Sequence, residues 1–160
     1  MILYSGYLKK LFVVTVMYVE KQVIEKTSLR GLSVLVIESK RDERDLLTYI
    51  LESHGAAVTS SASVNNAVAE LVYHPPDVVF ASVQALQQCD IAEKINVCAS
   101  KASKEIFIIG VVESKRNIYP LMAEDLNCHA CICKPLDMTE VVDLVSTLAG
   151  RFEQNYCFMM

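Results

Sequence analysis

Hydrophobic residues in this chain follow two rhythms that alternate from residue 32 onward. The first is the short unbroken run. Val34-Leu-Val-Ile37 follows Ser33, Val78-Val-Phe-Ala81 follows Asp77, and Ile106-Phe-Ile-Ile-Gly-Val-Val112 and Ala130-Cys-Ile-Cys133 come later. Runs of this length, without polar alternation, predict strands buried on both faces. Ala56–Ser60 predicts one more, shorter strand. The second rhythm is a spacing of three and four. Leu46, Leu47, Ile50 and Leu51 share one helical face, with Arg41, Glu43, Arg44 and Glu52 largely outside it and Gly55 as the stop. Val64, Ala67, Val68, Leu71 and Val72 form a second stripe, opened by Ser63, whose hydroxyl suits a helix N-cap. A third helix is expected within Asp90–Ala102 and a short fourth around Pro120–Leu126, ended by Asn127. The last opens with Asp137 and Glu140 in capping-box spacing, buries Val141, Val142, Leu144, Val145 and Leu148, and closes at Gly150.

Five strands alternating with five helices predict an α/β fold, a three-layer α/β/α sandwich around a five-stranded parallel sheet. In open sheets of this kind, ligands and chemistry gather at the C-terminal ends of the strands. That singles out Pro75-Pro-Asp-Val-Val-Phe-Ala-Ser82. The double proline stops the preceding helix, and the apolar run that follows delivers Ser82 to the end of a buried strand.

The totals narrow the function classes. With 160 residues the chain holds one ordinary domain, read as residues 31–150, plus an N-terminal extension and linker (1–30) and a tail (151–160). An apolar content of 52% with 21% charged residues excludes a disordered chain. A net charge of -4 without a basic stripe argues against a nucleic-acid partner. Leu11–Val19 is dense in β-branched and aromatic residues, which favours a strand, yet Leu8, Phe12, Val16, Val19 and Val23 also fall on one helical face. Its type stays open, and packing on the domain or on a second subunit is preferred to a membrane-surface anchor. The run is nine residues, about half of the ~20 that span a bilayer, and no small-residue cleavage site follows it. The six cysteines are therefore expected to be reduced, in a cytoplasmic protein.

Cys128-His129-Ala130-Cys131-Ile132-Cys133 carries the two-residue gap of zinc sites between Cys128 and Cys131, but lacks a second paired knuckle. Core packing is the preferred reading of Cys128, Cys131 and Cys133, with a metal or redox role the weaker one. His54 stands at a helix end, where a cation is stabilising, and His74 precedes two prolines in an exposed turn. No glycine-rich phosphate loop and no Ser-His-Asp arrangement is found.

Four segments in order carry a resemblance. They are Leu32-Ser-Val-Leu-Val-Ile-Glu38 after Gly31, Glu52-Ser-His-Gly-Ala-Ala-Val-Thr-Ser-Ser-Ala-Ser63, Pro75-Pro-Asp-Val-Val79, and Cys133-Lys134-Pro135 with its capped helix. Together they resemble a CheY-like receiver domain of a two-component response regulator, over about Leu32 to Gly150. The resemblance implies flavodoxin-like strand order 2-1-3-4-5. It also implies phosphoryl transfer to an aspartate at the end of strand three, with an acidic pair holding Mg²⁺, a hydroxyl after strand four and a lysine before a proline after strand five. Carried onto this chain, the acidic pair falls on Glu38 and Ser39, the phosphoacceptor on Ser82, the hydroxyl on Val112 and the lysine on Lys134. Pro135 falls where the family has a cis peptide bond, and Cys131 takes the place of the switch aromatic.

One carboxylate of the pair remains, Ser82 does not ionise near neutral pH, and Val112 has no hydroxyl. Asp77 lies five residues upstream of Ser82, roughly 16 Å at ~3.3 Å per residue, so it cannot replace the phosphoacceptor. Asp90 lies in a loop region, without preorganised partners. The expectation is a degenerate receiver, or pseudo-receiver: a non-enzymatic signalling and protein-interaction module with aspartyl phosphorylation lost and Mg²⁺ binding weak or absent. Lys134 is expected to pair with Glu38. The family's interaction face falls on residues 120–150, for a signalling partner such as a histidine kinase or another receiver, or for a homodimer. The rival readings are a phosphorelay receiver modified at an atypical site and a small-ligand or redox-sensing flavodoxin-like module.

Overall fold

The computed structural model describes residues 28–88, 90–113 and 126–150. In chain order these form β1 (Ser33–Ile37), α1 (Arg41–Ser53), β2 (Ala57–Ser61), α2 (Val64–Tyr73), β3 (Val78–Ser82), α3 (Val83–Gln87), α4 (Ile91–Lys101), β4 (Phe107–Val112), β5 (Ala130–Cys133) and α5 (Met138–Leu148). All strand pairs are parallel, and the sheet order is β2-β1-β3-β4-β5. This is the order expected from the resemblance. The expected Pro120–Leu126 helix, the Leu11–Val19 element and the 151–160 tail lie outside the described residues, apart from Leu126 itself.

Side-chain alternation along the strands divides the core into two halves. Val34, Val36, Val78, Phe80, Ile109, Val111 and Ile132 meet Leu47, Ile50 and Leu51 of α1 and Val141, Val142 and Val145 of α5. Leu35, Ile37, Val79, Ala81 and Ile108 meet Ala67 and Leu71 of α2, Ala85 and Leu86 of α3, and Ile91, Ala92 and Ile95 of α4. The three layers follow from this partition. β3 sits at the centre of the sheet and is buried along its whole length.

The helix ends carry the expected chemistry. Ser63 Oγ accepts the Asn66 N–H at 3.2 Å, and Asp137 Oδ1 accepts the Glu140 N–H at 3.1 Å. Gly55 follows α1 at φ +96°, where a side chain would be strained, and Asn127 takes the left-handed conformation.

Three features depart from the hydrophobic pattern. Leu46 and Val72, assigned to the buried stripes, are 46% and 63% exposed. A spacing of three and four admits a wider arc than the sheet covers, and these two stand at its margin. Leu29, read as linker, is fully buried against α1 and donates its N–H to the His54 carbonyl at 2.8 Å. Finally, residues 83–87 form a helix that their short pattern does not predict.

Candidate functional site

Because the strands are parallel, the residues leaving β1, β3, β4 and β5 emerge at one edge of the sheet. Glu38 and Ser39 follow β1, Ser82 ends β3, Val112 ends β4 with Glu113 beyond it, and Lys134 follows β5. The sequence-derived residues are thus brought to the same end of the fold.

Lys134 is the centre of a charged knot. Its Nζ lies 3.4 Å from Glu38 Oε2 and 3.1 Å from Glu113 Oε1, and it also contacts Glu43. Its side chain is only 11% exposed, and that of Glu38 only 7%. Burial pulls the Lys134 ammonium down, but the hydrogen bonds to Glu43 and Glu113 and the charges of Glu38 and Glu43 outweigh it, so its pKa is raised. The second oxygen of Glu38 accepts the Lys40 N–H at 3.0 Å, and Lys40 Nζ reaches Glu113 at 3.1 Å. Lys40 and Lys134 together hold Glu113 below the usual carboxylate range through their hydrogen bonds. Arg44 adds a hydrogen bond to the Glu38 carbonyl at 2.8 Å.

The expected Lys134–Glu38 pairing is present, but it is one of three. Glu43 and Glu113 were missed by sequence reasoning. A signal for Glu43 existed, since it stands one helical turn before the buried Leu47. Glu113 directly follows the buried end of β4, at the same sheet edge as Lys134.

Ser82 is 9% exposed, and its Oγ accepts the Ala85 N–H at 3.2 Å, capping α3. Its register partner on β4 is Val111, and Val112 beyond is 2% exposed. Neither valine offers a hydroxyl. Beside Ser82, on the side of α2 and α3, lies a cleft of about 350 Å³ lined by Ser39, Asn65 and Gln88 among others. The knot's Lys134, Glu38, Glu43 and Glu113 do not line it.

Asp77 is far from this edge. It accepts the Ser33 N–H at 2.8 Å and pairs with Lys104 at 2.9 Å, both at the N-terminal side of the sheet. Asp90 adopts a left-handed backbone just before α4 and makes no side-chain cap to it. His54 places Nδ1 2.8 Å from the Ile50 carbonyl, and His74 is 84% exposed beside Glu70.

Two of the described cysteines meet each other. Cys128 Sγ and Cys131 Sγ are 3.5 Å apart, around Gly110 on β4. A Cβ on that glycine would stand 3.3 Å from Cys128 Sγ and 3.4 Å from Cys131 Sγ, so its absence makes the room. Burial, with the Cys128 thiol beside it, pushes the Cys131 thiol up to about 12. Such a thiol is a poor thiolate donor near neutral pH. Among the described residues no group of three His, Cys, Asp or Glu side chains is arranged to hold a metal ion. Nor is any described helix long and apolar enough to cross a membrane. The Lys134–Pro135 peptide bond is cis, as the resemblance implied.

No protein-family model matches the chain, and no curated protein sequence does. Solved structures do match. The response regulator receiver protein from Burkholderia phymatum aligns with a TM-score of 0.60 at 18% identity, over 75% of this chain and 96% of that one. A chain of the Saccharomyces cerevisiae co-crystal of the histidine phosphotransfer protein Ypd1 with the receiver domain of the response regulator Ssk1 aligns at 0.62 and 15%, over 73% and 88%. NtrX from Brucella abortus, solved with ATP, aligns at 0.63 and 15%, over 79% of this chain but only 29% of that longer one. The fold of this protein is therefore that of a response-regulator receiver domain.

Proposed function

We propose that this domain is a two-component signalling module that works through protein contacts and does not accept a phosphoryl group at Ser82. The observation that carries the reading is the fate of the two residues a transfer would need. The Ser82 hydroxyl is committed to the α3 N-cap, and Lys134 is held by three carboxylates. Attack by a serine hydroxyl requires a base to take its proton. Ser39, Gln84 and Gln88, which share the cleft with Ser82, cannot serve.

The donors do not suit Mg²⁺ either. Both Glu38 oxygens are engaged, one by Lys134 and one by the Lys40 N–H, and its neighbour in the acidic pair is Ser39. An ammonium group at the centre of the carboxylates supplies the positive charge that a divalent ion would otherwise bring. On this reading the module is not an enzyme, and its partner is a signalling protein, as for the receiver crystallised with a phosphotransfer protein. Incubation of the full chain with acetyl phosphate and Mg²⁺, read by intact mass, should leave the mass unchanged. A stable gain of one phosphoryl group would overturn the proposal.

A further inference from the structure

The edge of the sheet is divided electrically. Every charged side chain drawn to the Lys134 knot lies on the side of α1, β4 and β5. Among the described residues, none that lines the cleft on the other side of Ser82 is charged. Its buried floor is Ile37, Ala85 and the Ser82 hydroxyl, and its rim carries Ser39, Ser63, Asn65, Gln84 and Gln88. Gln84 and Gln88 are one turn apart at α3 and just beyond its end, and Asn65 stands opposite in the first turn of α2.

We infer that this cleft is a binding site for a small, uncharged, planar molecule with amide-like hydrogen-bonding edges. The inference rests on the reading that Ser82 no longer takes a phosphoryl group. Size sets the first limit. About 350 Å³ is at the lower end of the range for small-molecule pockets, enough for a single ring system with one substituent. Charge sets the second. An ionic ligand would give up hydration against described lining residues that offer no counter-charge, and the Lys134 ammonium at this end of the sheet is already held by carboxylates. Hydroxyl and carboxamide side chains both donate and accept, so they match a neutral amide or ring nitrogen with no desolvated charge left over. Ile37 and Ala85 on the floor then take the ring face, and the rim reads the edge.

A charge-matched series tests this on the full ¹⁵N-labelled chain. Nicotinamide is neutral, nicotinate is its anionic counterpart and 1-methylnicotinamide its cationic one. Nicotinamide should shift the amide resonances of Ser39, Asn65 and Gln88 saturably, with the two ions at least about tenfold weaker. Asn65→Ala, an exposed change outside the core, should weaken nicotinamide about fivefold, the usual loss for one hydrogen bond. The inference is overturned if nicotinamide leaves these resonances unmoved, if either ion binds as well, or if Asn65→Ala binds with unchanged affinity. The phosphorylation reading fails separately, by the mass gain described above.

Discussion

The two ends of the central strand solve the same problem in opposite ways. At the N-terminal end one carboxylate meets one lysine. Asp77 takes Lys104 at 2.9 Å and the Ser33 N–H at 2.8 Å, so charge and hydrogen bonds balance. At the C-terminal end three carboxylates gather on Lys134, with Lys40 as a second, more exposed lysine on Glu113, and the strand itself contributes only a neutral hydroxyl. The first arrangement is a stitch between β1, β3 and the loop before β4. The second has an excess of negative charge around a nearly buried cation, a pattern that stability alone does not favour. What the contrast teaches is a difference in stoichiometry: the ion pair at one end is balanced one to one, and the knot at the other is not.

The largest effect expected is from Lys134→Met. Removing the ammonium leaves Glu38 buried without its partner and should cost about 3 kcal/mol in urea denaturation at pH 7. If the variant were as stable as the parent at pH 7, the knot would not be held by charge. In the parent, the raised Lys134 pKa means its contribution is complete below the unfolded value of 10.5 and is lost only as pH rises through the higher folded value.

Asp77→Ala should cost about 2 kcal/mol at neutral pH, for a charged hydrogen bond and the ion pair together. Burial raises the Asp77 pKa, but Lys104 and Ser33 more than reverse this, and the net shift is downward from 3.8. Its stabilisation is therefore present above 3.8 and disappears as pH falls through the lower folded value. Parallel acid titrations of parent and variant should converge there. Curves that stayed apart would break the stoichiometric account.

Ser82→Ala should cost about 1 kcal/mol, the usual loss of an N-cap, and leave the Lys134 knot intact. A nuclear magnetic resonance spectrum with changes confined to α3 and its cleft would sharpen the division between the neutral and charged halves of the edge.

The smallest effect has the opposite sign. Asp143 on α5 has a buried Oδ1 without a hydrogen-bond partner, and burial together with the nearby Asp137 raises its pKa. Stability is then lost as pH rises from its unfolded to its folded pKa. Asp143→Asn should gain roughly 0.5 kcal/mol at pH 7, seen as a higher melting temperature, and nothing at low pH.

The sheet was legible because its signals are local. Two prolines before an unbroken apolar run predict β3, and a Ser or Asp three residues ahead of the bonded N–H predicts the caps of α2 and α5. α3 was not legible. Its Val83-Gln-Ala-Leu-Gln87 is too short to show a period, and it forms because Ser82 caps it and Ala85 and Leu86 are buried. The Lys134 knot was half legible. A cation at that sheet edge predicted Glu38, but Glu43 and Glu113 stand 91 and 21 residues away in sequence, and only the assembled sheet brings them together.

Leu29 has a practical consequence for anyone moving this module into another protein. Composition draws the boundary at residue 31, yet the chain is already anchored two residues earlier, with Leu29 under α1 and Arg30 against Gly55. A fusion joined at Gly31 would leave a leucine-sized hole beneath α1 and an unclaimed carbonyl at His54. The portable unit therefore has to include Leu29, and a segment joined just upstream of it is tied to the core through that residue.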